Sequence, residues 1–447
     1  MNKIFHMNRL KDLVSFSILA VVFFNMIFTR SFVGLYIFGY RIGELEVLSS
    51  LAICLGSFIY SIISKENLIF SELTKYLNLI VVSFLLVSLI TRTDLLNTYT
   101  YKSSSYIWTI GFIFVGIFVT DYLNKFNFAF SYLIAICPLI LYIFNSGNYP
   151  NFIIDFFKEN SDKFQFTKAS DIFICIVSIY FYLEVIKADK RVKMFYVFFY
   201  CPLYLPILII LSRGSYVGII LFILLVFYFE KDFIRNNKLI ILVFSLISIS
   251  LFVFSTFRIS DVSFRPSNIN TEVISQQVQS ISEEKDTRKA FLTFYFENGR
   301  LFSEDETTNW RLDIWQDVSE DLIQERRIFY GYGYKSIIPQ MQDPSAPGRL
   351  GMDGLNEHVH NYFVTVYSRG GILQLLLFIL LHISLIKIWK NNNANMKILI
   401  YYLPIIFVSS LDISMDGVQF PLIFYSFLGY FLSSTSTSQE TNTFKEY

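Results

Sequence analysis

The chain is poor in charge. Asp, Glu, Lys and Arg make up 16% of its 447 residues, where a soluble domain carries about a quarter. The two signs balance at 37 basic against 36 acidic residues, net +1, so there is no basic excess of the kind that tracks a phosphate backbone, and no nucleic-acid partner is expected. Cysteine is scarce. Cys54, Cys137, Cys175 and Cys201 all lie inside apolar runs, without metal-ligand spacing, and read as small buried hydrophobes. A secreted disulfide scaffold is excluded. The four histidines are too few for a His-rich metal centre. With 19 Gly and 10 Pro, collagen-like and low-complexity classes are excluded as well.

What is present is apolar: 54% of the residues are hydrophobic, with 49 Phe and 29 Tyr. These residues fall in runs of about the length that crosses a bilayer as a helix. Twelve candidates follow, at 12–29, 45–64, 76–91, 104–120, 127–144, 169–186, 194–211, 215–230, 239–256, 371–389, 398–412 and 419–434. The first has the basic flank of a signal peptide but ends in MIFTRS, without a small-x-small cleavage site, and reads as an uncleaved span. With the N-terminus placed in the cytoplasm, basic residues alternate between sides, and the cytoplasmic segments hold about twice as many as the opposite loops. Dropping or adding one span puts later basic clusters on the wrong side. The expectation is an all-α integral membrane protein of about twelve helices with both termini cytoplasmic.

One connection is long. Residues 257–361 separate the ninth and tenth spans, and a structureless loop of that length would be unusual, so a folded, mostly helical extracytoplasmic cap is expected. Segments 271–284 and 312–325 are amphipathic; in the second, Ile314, Trp315, Val318, Leu322 and Ile323 recur at helical spacing. The organisation is then 1–256 (nine spans), 257–361 (cap), 362–434 (three spans) and 435–447 (a polar cytoplasmic tail). The EDE run at 304–306 reads as a solvated face or a helix start, GYGYK (331–335) as a turn in the cap, and the Pro/Gly-rich stretch 342–354 as a flap.

Three places could carry chemistry. Arg213, in LSRGSYVG, sits in the tight hinge between spans seven and eight on the outer side. It could be a snorkelling anchor. Held between two helix ends at the surface, with Gly214 beside it, it could equally clamp phosphate, because a guanidinium fork matches phosphate oxygens and keeps its charge. Arg311, in NWRLDIW, is either an ordinary surface cation paired with Asp313, Asp317 or a neighbouring carboxylate, a contact worth little, or a second phosphate ligand. EHVHNYF (357–363) holds His358 and His360 where the cap returns to the membrane. On a helix the i, i+2 spacing points them apart, and no third ligand is evident, so no metal site is expected. A histidine at that mouth suits a general base or hydrogen-bond donor, or is simply an interfacial polar residue. His6 and His382 read as structural.

These elements together resemble the O-antigen ligase and O-antigen polymerase superfamily, over roughly 200–390. The resemblance rests on SRG (212–214), the Arg-x-x-x-Trp of RLDIW (311–315), GYG (331–333), and His360-Asn361 followed by Gly371. It implies a metal-independent, inverting glycosyl transfer at the outer face of the bacterial inner membrane, with no cofactor. The donor would be a glycan on undecaprenyl pyrophosphate, and the acceptor a lipid A–core sugar (ligase) or another lipid-linked glycan (polymerase). The family's essential arginines map onto Arg213 and Arg311 and its histidine onto His360; Asn361 and His358 are taken as further substrate contacts. Relatives often carry an acidic residue two before the glycine, where this chain has Arg369. A twelve-span transporter or lipid-linked-oligosaccharide flippase is the competing class. Such proteins place their sites near the midplane on related halves, whereas here the polar candidates gather at one face and no internal repeat is visible.

Overall fold

A computed structural model describes residues 2–63, 71–125, 132–145, 150–163, 168–261, 293–343, 357–412 and 414–443. Helix α1 (Asn2–Val33) leads through a two-residue hairpin, β1 (Tyr36–Ile37) and β2 (Tyr40–Arg41), into α2 (Ile42–Ile63) and α3 (Ser71–Thr91). Short helices α4 (Thr98–Ser103) and α5 (Ser105–Trp108) precede α6 (Phe112–Leu123). Then follow α7 (Cys137–Asn145), α8 (Asn151–Asn160), α9 (Ala169–Val185), α10 (Lys190–Leu211), α11 (Arg213–Phe229), α12 (Lys231–Asn236) and α13 (Lys238–Asp261). The antiparallel hairpin β3 (Phe294–Glu297) and β4 (Arg300–Ser303) leads to α14 (Glu306–Gln324). Helices α15 (Tyr362–Asn393), α16 (Leu399–Ser409) and α17 (Gln419–Thr443) close the chain.

Among the described residues, seven helices are long and apolar enough to cross a membrane: Arg9–Val33, Ile42–Ile63, Glu72–Thr91, Ser105–Leu123, Lys190–Leu211, Lys238–Arg258 and Tyr362–Asn393. Seven, not the expected twelve, meet that requirement; α7, α9, α11, α16 and α17 occupy the other five runs. The most apolar of the seven, Lys238–Arg258, is almost entirely unburied. Bare apolar flanks of that extent are stable in hydrocarbon, not in water, and the helical backbone satisfies its own polar groups there. The chain is a multi-pass helical membrane protein.

Helix α9 is the core. Every residue from Ala169 to Leu183 is buried, and α10, α11, α16 and α17 pack around it. Helices α6 and α17 approach closely where a Cβ on Gly116 would strike the Ser426 carbonyl and one on Gly429 the Ile113 carbonyl; small residues let membrane helices meet backbone to backbone. One end of the bundle is tied by a buried ionic clasp. Lys397 Nζ lies 2.6 Å from Glu184 Oε1 and 2.7 Å from Glu230 Oε1, and Lys193 also bonds Glu184. It joins the ends of α9 and α11 to the starts of α10 and α16. Arg213 lies at the opposite end, where α10 gives way to α11.

Several expected boundaries move. Helix α1 starts at Asn2 rather than residue 12, α15 starts at Tyr362 rather than 371, and α8 was not foreseen. The 312–325 helix is found as α14, begun six residues earlier because Asp305 caps it: its Oδ2 accepts from Thr308 N at 3.0 Å. The EDE run is thus a helix start. The expected helix at 271–284 and the stretch 344–354 lie outside the described residues. What is described of the cap is less helical than expected, since β3 and β4 pair beside α14. Its core joins Ile314, Val318 and Leu322 to Tyr332, Ile338, Met341 and Val359, and Trp315 Nε1 donates to the Val359 carbonyl at 2.7 Å. The segment around α14 therefore grips residues 357–361.

Candidate active site

Arg213 opens α11. One residue, Ser212, separates it from α10 and caps the new helix, accepting from Ser215 N at 3.4 Å. So short a turn fixes the Arg213 backbone between two helix ends. The guanidinium reaches the cap: Nη1 donates to Asp305 Oδ1 at 2.5 Å. The same carboxylate caps α14, so one residue sets both the first turn of the cap helix and its distance from the bundle. Arg213, hydrogen bonds to Thr308 and that capping role hold Asp305 below its ordinary pKa against the cost of its burial.

One turn into α14 stands Arg311. The sequence left open a surface pairing with Asp313 or Asp317, but those carboxylates bind Arg300 instead, at 3.2 and 2.5 Å. Arg311 turns inward. Its Nε is buried and finds no hydrogen-bond partner among the described residues. Burial lowers its pKa, while Asp412 and Asp305 pull it back up.

His360 lies within electrostatic reach of Arg311. Its backbone is left-handed at φ 55°, and its ring meets Trp310 edge-on with centroids 5.1 Å apart. Burial first, then Arg311, push its pKa down to about 4, against the pull of Asp412; His358 and Lys168 push the same way as Arg311. The imidazole is therefore neutral near pH 7. Lys168, just before α9, is itself lowered by burial and by Arg30, and Asp412 opposes that shift too. Asp412 is thus the common counter-charge of Arg311, His360 and Lys168. Helix packing explains the meeting: a Cβ on Gly214 would sit 3.2 Å from Leu411 Cβ, which brings the residue before Asp412 against the start of α11.

The three main sequence candidates converge, and their supporting cast was missed. Nothing marked Asp305 beyond the start of a helix. Asp412 and Lys168 were not singled out; their signal was position alone, at the edges of apolar runs. The other two candidates go elsewhere. Asn361 caps α15, its Oδ1 accepting from Phe363 N at 2.9 Å and Val364 N at 3.1 Å, so that oxygen serves the backbone. His358 turns to Asp416, Nδ1 to Oδ2 3.4 Å. Among the described residues no group of three or more His, Cys, Asp or Glu could hold a metal ion.

GYG and Gly371 act as one joint. Gly371 has φ 71° and interrupts α15, freeing carbonyls that the turn collects. Tyr332 N donates to Ser368 O at 2.8 Å, Gly333 N to Arg369 O at 3.0 Å, and Ile372 N to Ile328 O at 2.7 Å. Arg369 is buried and seals the joint, Nη1 donating to the Gly333 carbonyl at 3.3 Å and also to that of Ser336. Arg369, the position singled out in the resemblance, is thus a cation that satisfies turn carbonyls.

No curated protein matches the chain. Residues 195–379, from α10 through the first half of α15, match the family model described as O-antigen ligase. That stretch contains Arg213, Arg311, the GYG joint and His360. Across residues 195–379 the chain is thus similar to the O-antigen ligase family.

Proposed function

We propose that the protein is a metal-independent, inverting glycosyltransferase that moves a glycan from undecaprenyl pyrophosphate to a sugar hydroxyl at the outer face of the bacterial inner membrane. The observation that carries this reading is the meeting of Arg213, Arg311 and His360 around Asp305 and Asp412 at one end of the bundle. Two guanidiniums bind the diphosphate, which displaces Arg213 from Asp305 and supplies oxygens to the buried Arg311 Nε. The acceptor oxygen attacks the anomeric carbon opposite the diphosphate. As the C1–O bond breaks, its electron pair passes to the diphosphate oxygen, and the fixed cations stabilise that charge. His360, neutral and placed by Trp310, takes the hydroxyl proton, a contribution typically worth about 10²–10⁴-fold.

In this reading the chain spans the membrane twelve times, residues 257–361 form a periplasmic cap, and both termini are cytoplasmic. The ion pairs support it. Lys11–Asp121, Lys125–Asp12 and the Glu184–Lys397 clasp lie at one end, and Arg41–Asp162, Lys102–Glu357 and Arg213–Asp305 at the other, as alternating traverses require. The ligase version, with lipid A–core as acceptor, is favoured by the spacing from His360-Asn361 to Gly371. A repeat-unit polymerase would use the same donor chemistry.

Arg213→Ala, Arg311→Ala and His360→Ala are each expected to abolish glycan transfer at normal membrane levels, read by complementing a deletion strain and resolving surface glycan on a gel. Near-normal glycan from any variant removes that residue from the mechanism. Loss of all glycan on lipid A in the deletion strain identifies a ligase, and a single capped repeat unit a polymerase.

A further inference from the structure

A second polar place adjoins the first. A cleft opens between α4 and α5, the segment before α15, the first turns of α15 and the Ser414–Asp416 turn, with Tyr99, Lys102, Glu357, His358, Arg369 and Asp416 in its wall. None of these belongs to the cationic group of Arg30, Lys168, Arg213 and Arg311. His358 connects the two places: it faces Asp416 in the cleft and acts electrostatically on His360.

The charges of the cleft are spent on one another. Lys102 Nζ lies 3.0 Å from Glu357 Oε2. Arg369 is committed to the carbonyls of Gly333 and Ser336 and to Tyr99. Asp416 Oδ2 accepts from Thr365 Oγ1 at 3.1 Å and faces His358. Such a wall offers no spare cation to a phosphate and suits an uncharged, hydroxyl-rich ligand. One group is left over. Asp416 Oδ1 is buried without a hydrogen-bond partner among the described residues, on a side chain only 5% exposed. A buried carboxylate oxygen without a donor is costly, and a sugar hydroxyl supplies the donor.

We propose that this cleft is the acceptor subsite: it holds the hydroxyl-bearing edge of a neutral sugar, with Asp416 Oδ1 accepting one hydroxyl while a neighbouring hydroxyl is presented to His360. The inference rests on the glycosyl-transfer reading above and adds where the acceptor sits. Inversion demands that the incoming oxygen approach opposite the departing diphosphate. Donor phosphates beside the arginines and acceptor beside His358 place the two partners on different neighbours of His360.

The test uses the full-length protein in lipid nanodiscs, with saturating undecaprenyl-pyrophosphate-linked glycan as donor. Purified lipid A–core is titrated in one arm and the lipid-linked repeat unit in the other. Binding of undecaprenyl pyrophosphate alone is measured separately. In whichever arm the wild type uses, Asp416→Asn is expected to raise the acceptor KM about tenfold, as loss of one charged hydrogen bond implies, with kcat within about threefold. Diphosphate affinity stays at the wild-type value. An unchanged acceptor KM, or a loss that falls on kcat alone, overturns the proposal. If Asp416→Asn fails to fold, it loses diphosphate affinity too, and Tyr99→Phe, which removes a single oxygen from the wall, decides by the same KM criterion. Failure of the transfer reading looks different: the wild type transfers in neither arm, or Arg213→Ala and Arg311→Ala bind undecaprenyl pyrophosphate as well as wild type does.

Discussion

Asp412 shows how one carboxylate can tune three different side chains. It opposes the effect of burial on Arg311 and Lys168 and moderates the fall of the His360 pKa. That fall has a kinetic consequence. A lowered pKa leaves the imidazole neutral and competent at every pH above about 4 and charged only below it. The profile of kcat/KM for the donor, which reports the free enzyme, is therefore expected to stay flat from pH 8 down to about 5 and to drop only under more acidic conditions. Binding a diphosphate beside Arg311 adds negative charge next to the ring and raises its pKa. The acidic limb of kcat, which reports the bound complex, should then lie at higher pH than that of kcat/KM. Coincident limbs, or a kcat/KM midpoint at the ordinary imidazole value, would remove Arg311 and burial as the forces acting on His360.

Between elements, the joint at Gly371 carries the geometry. Helix α15, which begins two residues after His360, breaks where residues 328–333 dock against its freed carbonyls. A Cβ on Gly371 would lie 2.3 Å from Phe329 C and 2.4 Å from Tyr330 N. These are backbone atoms that cannot swing aside, and the φ of 71° disfavours any side chain. Gly371→Ala is expected to cost about 1–3 kcal/mol from strain alone, seen as a lowered melting temperature of the detergent-purified protein and loss of transfer. A wild-type melting temperature would mean that the joint does not hold α15 as described. GYG and Gly371 were visible in the sequence as separate signals. Their partnership was not, because it depends on hydrogen bonds between segments far apart in the chain.

Across the whole molecule, the charges sort to two ends and the apolar surface lies between them. Lys102 and Lys125 stand at opposite ends, their side chains 59% and 55% exposed, while the four native cysteines are buried. In intact cells, Lys102→Cys is expected to react with a membrane-impermeant thiol reagent added outside, and Lys125→Cys only after permeabilisation, with little background from the native thiols. The reverse pattern would invert the topology and take the arginines to the cytosolic side, away from any periplasmic acceptor.

Composition and the spacing of apolar runs by themselves determined that this is a helical membrane protein, because hydrocarbon demands long apolar segments whose backbone bonds to itself. The alternation of basic residues along the chain led to the expectation that Arg213, Arg311 and His360 share one face. Only the tertiary structure decided who stands with them. Asp305, Asp412 and Lys168 are ordinary loop and cap residues until helix packing brings them together. Asn361 caps a helix start and His358 faces Asp416. Electrostatic partnership acts through space over a few ångströms, and in a chain folded back on itself many times the residues that meet there come from segments hundreds of positions apart.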